Sequence, residues 1–177
     1  YHHPARGDHN LTNLENMAAS VGKLLKEHGQ TVAVAESSSG GLICAALLGV
    51  AGASAYFKGG GAVYTGASKQ ILIGVSNEAM AADRAATENH ALHLAKAASQ
   101  RLDALWGIGE TGAAGPTGNR YGDPPGHTCI GVAGPLCRTR TIQTGMQNRT
   151  ENMATFASAA LSLLQICIEE YASHQGL

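Results

Sequence analysis

Three consecutive serines, Ser37, Ser38 and Ser39, stand between a short apolar run and an uncharged stretch with helical spacing, and Gly40 and Gly41 follow them. A helix that begins there presents unpaired backbone N–H groups and a partial positive charge. Such a helix start can hold a phosphate or the oxyanion of an acyl-transfer intermediate, and a serine beside it can attack a carbonyl carbon. The alternative interpretation is that these serines only cap the helix.

A serine attacks only when a base removes its proton, so the sequence must also supply that base. His90 and His93 share a helical face but stand away from any turn, and we interpret them as surface residues. His127 lacks an evident acid to orient it. The other route is a buried lysine, because loss of hydration favours the neutral amine and lowers its pKa. Lys58 and Lys69 both qualify by position.

Lys69 is the preferred base. It follows the predicted strand that carries Tyr64, in a chain with few charges, whereas most other lysines fall on helix faces that we expect to be solvated. Tyr64 and Lys69 are five positions apart, one more than the Y-x-x-x-K pair of short-chain dehydrogenases requires. The spacing therefore argues against that class of oxidoreductase.

The glycine-rich segment G-I-G-E-T-G at residues 107–112 matches the dinucleotide pattern G-x-G-x-x-G. We interpret the match as accidental, because residues 113–118 continue as a loop and no helix opens for a pyrophosphate. Its glycines and Thr111 could still approach an anionic ligand, and a merely flexible loop is the alternative. Arg149 opens the last predicted helix, where a cation opposes the helix dipole, which suggests a substrate anion.

The elements that must position these groups alternate between helices and short apolar strands. Residues 110–126 are rich in Gly and Pro and too long for an ordinary connection, so we predict a functional loop there. A first helix begins at Leu11 and ends at Gly29, which would adopt a left-handed cap. Further helices are predicted at 42–50, 68–73, 87–102 (with Thr87 as N-cap) and 149–170, and strands at 31–35, 60–65, 104–109, 128–133 and 138–143. This order predicts a mixed sheet with helices on both faces.

The composition narrows the function classes. The chain has 177 residues, 44% of them apolar and only 14% charged, which excludes a disordered chain and predicts a single domain at residues 11–177. Residues 1–10 are polar, and we expect a flexible N-terminus in which His2 and His3 resemble a tag remnant. The net charge is -1, so nucleic acid is not an expected partner.

Cysteine use indicates a reducing compartment. The four cysteines are scattered without a C-x-x-C pair, which predicts small buried thiols and a cytoplasmic protein. Residues 37–57 carry no charge, but serine, glycine and alanine dilute the stretch, so we predict a buried helix rather than a membrane span. No cluster of potential ligands has metal-binding spacing. The low charge fraction leaves surface that a second copy could cover, so we expect a homodimer.

Several motifs, in order along the chain, resemble the CinA C-terminal domain family, whose best-known activity is deamidation of nicotinamide mononucleotide. A-E-S-S-S-G-G at 35–41 resembles the family's A-E-S-C-T-G-G, and A-S-A-Y-F-K-G-G at 53–60 resembles S-S-x-Y-F-x-G-G. Y-T-G-A-S-K at 64–69 resembles Y-S-N-x-x-K, and T-G-A-A-G-P at 111–116 resembles T-G-x-A-G-P. The resemblance covers nearly everything after Leu14 and implies a three-layer α/β/α sandwich with a mixed central sheet.

The resemblance also implies a reaction. The family's catalytic serine, tyrosine and lysine fall on Ser37, Tyr64 and Lys69. Ser37 would attack the carboxamide carbon of the nicotinamide ring, with Lys69 taking its proton, Tyr64 relaying or orienting it, and backbone N–H groups near 38–41 holding the oxyanion. Ammonia would leave and water would hydrolyse the acyl-enzyme, with no metal or redox cofactor. The implied substrate-binding residues are Ser39, Gly40, Gly41, Thr111, Gly112, Ala114, Gly115 and Arg149.

Some positions depart from the family pattern. Ser38 and Ser39 replace cysteine and threonine, residues 65–67 replace S-N-x, and Met153 stands where a second arginine often appears. The larger family members carry an additional N-terminal domain, and this chain resembles the stand-alone form. Two alternatives to the deamidase stay open: a non-catalytic module that keeps the family pocket and binds a nucleotide or a partner, and an amidase for another small amide.

Overall fold

The computed structural model describes residues 6–176, which form a five-stranded sheet and six α-helices. Gly29, with a φ of +62°, ends the first helix as predicted, and Thr87 caps the fifth. In chain order the elements are α1 Arg6–His28, β1 Val32–Glu36, α2 Leu42–Leu48, a 3₁₀ turn Ala53–Ala55, β2 Phe57–Ala62, α3 Gly66–Ile73, α4 Asn77–Ala82, α5 Glu88–Leu102, β3 Trp106–Ala113, β4 His127–Ala133, β5 Arg138–Gln143 and α6 Arg149–His174.

The sheet is mixed and has the strand order β2-β1-β3-β4-β5. Strand β1 pairs in parallel with both β2 and β3, whereas β4 pairs antiparallel with both β3 and β5. Helices α1, α2 and α6 pack on one face, and α3 and α5 pack on the other. The predicted sandwich of helices around a mixed sheet is therefore confirmed.

Strand β1 is buried along its whole length. Its valines, Val32 and Val34, pack beneath α1, α2 and α6, and its alanines face α3 and α5, because successive side chains of a strand point to opposite faces. The second face needs small residues, since α5 lies close to the sheet. A Cβ at Gly109 would overlap the carbonyl oxygen of Ala91 and lie 2.7 Å from the nitrogen of Ala95. The G-x-G-x-x-G match thus lies within β3, and Gly109 serves helix packing.

Helix α6 is long and apolar enough to cross a membrane by length and composition, with a mean hydropathy of 1.2 over 18 residues. Just over half of that window, 56%, is buried inside the protein. Leu161, Leu164 and Ile168 are fully buried in the core that α6 shares with α1. A core helix passes the same test as a membrane span, so we interpret α6 as a packed helix of this domain.

Several element boundaries differ from those expected. Strand β2 lies at 57–62 rather than 60–65, because its consecutive glycines carry no side chains that would show an apolar alternation. Strand β3 continues to Ala113, so Glu110 and Thr111 belong to a strand and the predicted loop starts later. Helix α4 was not predicted, because it is short and buries none of its residues. Helix α1 begins at Arg6, before the first apolar repeat; residues 1–5 lie outside the described residues.

Gly109→Ala should destabilise the fold. The added methyl group must push α5 away from β3, and overpacking of this kind costs about 1–3 kcal/mol. Gly61→Ala in β2 is the matched control, because nothing lies within 4 Å of its Cβ position. There we expect the free energy of unfolding to change by less than about 0.5 kcal/mol. Urea unfolding followed by circular dichroism measures both, and equal midpoints for the two variants would contradict the close approach of α5.

Candidate active site

The predicted site residues gather where three parallel strands end. Strand β1 ends at Glu36, directly before the serines, and β2 ends two residues before Tyr64. Strand β3 ends at Ala113, directly after the glycine-rich segment at 107–112. Parallel strands present their carboxyl ends at one edge of a sheet, which is where open α/β folds bind ligands. The topology therefore brings together segments that are far apart in the chain.

The start of α2 is capped by a buried glutamate and not by a serine. Its N-cap residue, Gly41, has no side chain that could accept a hydrogen bond. Glu36 is fully buried, and its carboxylate accepts the N–H groups of Gly41 at 2.9 Å, Ile43 at 3.2 Å and Cys44 at 2.9 Å. A protein carboxylate thus occupies this helix start. The interpretation of the serines as helix caps is wrong, and the helix start is not open to a substrate phosphate.

A second buried glutamate, Glu110 of β3, fixes the serine segment. Its Oε1 accepts the N–H groups of Ser37 at 3.0 Å and Ser39 at 2.8 Å. Its Oε2 accepts the hydroxyl of Ser38 and, at 2.6 Å, that of Thr128 in β4. A carboxylate can be buried only when it is paired or hydrogen-bonded. These four donors therefore hold Glu110 in place, and Glu110 in turn holds the backbone after β1.

Most polar groups at the end of the serine segment already bond within the protein. The hydroxyl of Ser39 lies between the two carboxylates, 2.5 Å from Glu36 and 2.9 Å from Glu110. The N–H groups of Ser39, Gly40 and Gly41 all donate to protein acceptors. The predicted oxyanion site at 38–41 therefore cannot use these three amides as they stand.

Two groups of the segment are available to a substrate. Across residues 6–176, no hydrogen bond is formed by the Ser38 N–H or by the Ser37 hydroxyl. In the same residues no buried polar side-chain atom lacks a partner, so the Ser37 hydroxyl is reachable by solvent. The segment thus offers one free hydroxyl, which can attack, and one free amide, which can donate to an oxyanion.

Lys69 of α3 is buried, with only 4% of its surface exposed, whereas the rival candidate Lys58 is exposed. Burial lowers the pKa of the Lys69 ammonium below its ordinary value of 10.5, and the negative charge of Glu110 partly counteracts this shift. An amine with a lowered pKa is a competent general base. The structure therefore gives Lys69 the desolvated environment that a base requires.

The nitrogen of Lys69 lies 2.9 Å from Nε2 of His90. His90 is 1% exposed, so its expected surface position is wrong. It belongs to the buried stripe of α5 together with Ala91 and Leu94. His93, by contrast, is half-buried and bonds to the carboxylate of Asp83 at 2.9 Å. Of the histidines considered as bases, His90 is the one that contacts Lys69.

A cavity of about 200 Å³ opens beside the serine segment. Arg149, the first residue of α6, donates to the carbonyl of Gly115 at 2.6 Å. This bond connects α6 to the Gly- and Pro-rich loop that follows β3, which we call the glycine-rich loop. The cavity is lined by Ser38, Tyr64, Gly112, Ala113, Ala114, Gly115, Thr117, Gly118, Asn119 and Arg149. Four of the predicted substrate-binding residues, Gly112, Ala114, Gly115 and Arg149, thus share one pocket with Tyr64.

Two predicted site residues have different surroundings. The hydroxyl of Thr111 accepts the N–H of Ala86 at 3.0 Å, and Thr111 is 2% exposed and outside the cavity lining. Tyr64 is 64% exposed and forms no hydrogen bond to any residue that the structure describes. The phosphate role of Thr111 and the catalytic role of Tyr64 stay predictions.

Cys129 and Cys44 are poor candidates for an alternative nucleophile. Cys129 lies 3.7 Å from Nε2 of His127, but burial raises the pKa of its thiol. Burial and the neighbouring Glu36 raise the pKa of the Cys44 thiol as well. A thiol attacks only as the thiolate, which a raised pKa disfavours. Cys137 is exposed and differs from the buried position expected for it.

Sequence reasoning missed Glu36, Glu110 and His90. Each carries a signal that could have been used. Both glutamates end or interrupt apolar strand runs in a chain that is only 14% charged, and a charge there must be buried with partners. His90 stands one residue before Ala91 and four before Leu94, at the spacing of the buried face of α5.

Similarity to solved structures supports this fold. The competence/damage inducible protein CihA from Agrobacterium tumefaciens matches with a TM-score of 0.81 and 30% identity, over 89% of this chain and 96% of that chain. A competence-damaged protein (CinA) superfamily protein from Escherichia coli matches with a TM-score of 0.80 and 25% identity, over 88% and 91%. A Klebsiella pneumoniae superfamily protein, 22% identical over 89% and 98%, has a TM-score of 0.83 and supports the fold alone.

Sequence relatives agree with the structural neighbours. A CinA-like protein of Desulforapulum autotrophicum is 36% identical over 150 residues, which are 84% of this chain and 36% of that protein. One from Prochlorococcus marinus is 40% identical over 134 residues, 75% of this chain and 31% of that protein. The chain thus spans about a third of the length of these curated relatives. Because the model of the CinA C-terminal domain matches residues 14–168, the chain belongs to the CinA C-terminal domain family.

Proposed function

We propose that this protein is an amidohydrolase that converts nicotinamide mononucleotide and water to nicotinic acid mononucleotide and ammonia. The observation that carries the proposal is the buried Lys69, whose pKa is lowered by burial and is influenced by the charge of Glu110, the carboxylate that binds the serine segment. An exposed lysine would stay protonated and could not act as a base. The family motifs suggest the substrate, and the buried lysine with a free serine hydroxyl supports the chemistry.

In the first half-reaction, Ser37 Oγ attacks the carboxamide carbon while the neutral amine of Lys69 takes the hydroxyl proton. The carbonyl electrons move to the oxygen, which the free N–H of Ser38 stabilises by a hydrogen bond. Lys69 then gives the proton to the amide nitrogen and the C–N bond breaks. Ammonia leaves, Lys69 is neutral again, and the nicotinoyl group is an ester on Ser37.

In the second half-reaction, water attacks the ester carbon and Lys69 takes one proton from it. The tetrahedral intermediate collapses, and the departing Ser37 oxygen takes that proton back from Lys69. The product carboxylic acid then ionises in water. The exposed Tyr64 lies at the cavity edge, where it can orient the substrate or relay a proton. The glycosidic bond is left intact, and no step needs a metal or a redox cofactor.

The phosphate of the substrate would lie in the cavity beside the glycine-rich loop. Arg149 supplies a guanidinium there, and a charged group can bind phosphate by several hydrogen bonds. The loop brings its backbone close, because residues 112–115 form part of the same lining. This arrangement supports a nucleotide rather than a free base as the substrate.

A second candidate function is a non-catalytic module that binds a nucleotide in the same cavity. The observation that favours it is Tyr64, which is 64% exposed and not hydrogen-bonded to any described residue. Nucleotide-induced thermal stabilisation without ammonia release, unchanged by Ser37→Ala, would favour the module over the enzyme.

Ser37→Ala should lower kcat for ammonia release by roughly a thousandfold or more, because the nucleophile is lost. Ser38→Ala is the matched comparison, since this neighbouring residue lines the cavity and its hydroxyl donates to Glu110. We expect a much smaller loss there. A coupled ammonia assay with nicotinamide mononucleotide measures both. Loss confined to Ser38→Ala would assign the attack to Ser38 and contradict the proposed nucleophile.

The pH dependence should report Lys69. The neutral amine is the active form, so kcat/KM should rise with pH through the pKa of Lys69 and level off below the ordinary lysine value of 10.5, because burial lowers that pKa. Lys69→Arg keeps the positive charge but cannot accept a proton, and it should lose roughly a thousandfold in rate. A pH–rate profile without this acid limb, or an Arg variant with near-normal rate, would contradict the role of Lys69 as base.

Arg149→Gln should weaken the binding of the phosphate. We expect KM for nicotinamide mononucleotide to rise roughly tenfold to a hundredfold, since a hydrogen bond to a charged group is worth about 1.5–3 kcal/mol. KM for nicotinamide riboside, which lacks the phosphate, should change little. Arg149→Lys retains a positive charge and should recover part of the loss. Equal effects on both substrates would show that Arg149 acts only through its bond to the Gly115 carbonyl.

A further inference from the structure

The mechanism above does not use His90, a buried titratable group next to Lys69. His90 lies beneath α3 with 1% of its surface exposed, and its ring is bonded at both nitrogens. Nε2 lies 2.9 Å from the amine of Lys69, and Nδ1 lies 3.0 Å from the backbone carbonyl oxygen of Asp83. The imidazole therefore bridges the proposed base and the connection between α4 and α5.

The carbonyl of Asp83 determines the tautomer of His90. A carbonyl oxygen can only accept a hydrogen bond, so Nδ1 must carry the hydrogen. In the neutral ring Nε2 then has a lone pair and no hydrogen. The carbonyl is itself well placed, because the Asp83 side chain accepts bonds from His93 at 2.9 Å and from Asn89 at 3.2 Å. Nε2 of His90 thus faces Lys69 as an acceptor.

This tautomer matters for a lysine that acts as a base. The amine can donate one N–H to Nε2 and keep its own lone pair for an incoming proton. The opposite tautomer would donate its Nε2–H to that lone pair and occupy the group that must accept the serine proton. The direction of the hydrogen bond at Nδ1 therefore decides whether Lys69 is free to work.

We propose that His90 is a positioning residue for Lys69: it accepts one N–H of the amine, restricts its rotation and leaves its lone pair for the hydroxyl of Ser37. The inference rests on the proposed function, in which Lys69 is the base. His90 itself does not touch the substrate, and its neutral ring exchanges no proton with Ser37.

The charges around the pair are consistent with a neutral ring. Burial lowers the pKa of His90, and the nearby charge of Lys69 lowers it further. Glu110 of β3 raises the pKa of Lys69. Asp83, which follows α4, and His93, which lies on α5 with His90, act on the pKa of His90 in opposite directions. Two positive charges 2.9 Å apart in a buried site would repel each other. The pair therefore holds at most one extra proton.

Nitrogen NMR tests the geometry without any turnover. In the full chain labelled with ¹⁵N, long-range proton–nitrogen spectra distinguish the two neutral tautomers, and the signals lost in His90→Phe assign the ring. We expect the Nδ1–H tautomer at neutral pH. In Lys69→Met, which removes the charge and keeps the site apolar, the pKa of His90 should rise. An Nε2–H tautomer, or a His90 titration that Lys69→Met does not move, would overturn the inference.

Kinetics tests the consequence for the base. His90→Phe keeps a ring of similar volume but offers no acceptor, and kcat should fall roughly tenfold to a hundredfold while KM changes little, since misplacement of a reacting group costs about this much. In this variant the ammonium of Lys69 loses a hydrogen-bond acceptor, which destabilises the charged form and lowers the pKa of Lys69. The acid limb of the pH profile should therefore move to lower pH. His90→Gln retains a hydrogen-bond acceptor. It should therefore recover part of kcat, and its acid limb should lie close to that of the wild-type protein.

The two failures are distinguishable. If His90→Phe and His90→Gln lose the same activity and the acid limb does not move, His90 serves packing alone and the inference is wrong. That result would leave the amidohydrolase proposal intact. If the wild-type protein releases no ammonia from nicotinamide mononucleotide, the proposed function fails and the tautomer and titration alone decide whether His90 positions Lys69.

Discussion

The buried carboxylate of Glu110 is the interaction on which the site depends. It has no exposed surface, and its donors come from the segment after β1 and from Thr128 in β4. An unpaired charge in that position would cost several kcal/mol, so the strands and the serine segment must keep one arrangement for the fold to be stable. The same arrangement leaves the Ser37 hydroxyl and the Ser38 amide unbonded. Stability and the geometry that the proposed reaction needs are thus obtained from one set of hydrogen bonds.

The sheet separates these two carboxylates from Lys69. Because side chains alternate along a strand, Glu36 and Glu110 point to the face of α2, and Thr111 points to the face of α5, where it bonds to Ala86. Lys69 belongs to α3, which packs on the same face as α5. Glu110 reaches Lys69 through its charge, which raises the lysine pKa while burial lowers it. The balance of these two effects sets how readily the amine accepts a proton.

Much of the fold could be predicted because local patterns were consistent with it. The helix after Thr87 and the strand at 128–133 have clear caps or apolar runs, and their observed bounds agree within a residue. Lys69 could be singled out because a lysine beside a strand end is unusual in a chain with few charges. The partners of Lys69 could not be predicted in the same way. The spacing of His90 and the charge of Glu110 within an apolar run indicate that both are buried, but they do not show that one contacts Lys69 and that the other binds the serine segment.

The hydrogen-bond acceptor next to a buried lysine influences the pKa of its amine, and a carboxylate and an imidazole do so differently. A buried N–H without an acceptor costs about 1–3 kcal/mol, so Lys69 needs a partner on the side that faces α5. A carboxylate in that place would satisfy the N–H group but would stabilise the ammonium and raise its pKa, which would undo the effect of burial. A neutral imidazole with its hydrogen held at Nδ1 by the Asp83 carbonyl accepts the N–H and adds no negative charge. His90 is therefore the kind of neighbour that lets a lysine be both buried and hydrogen-bonded while its pKa stays lowered.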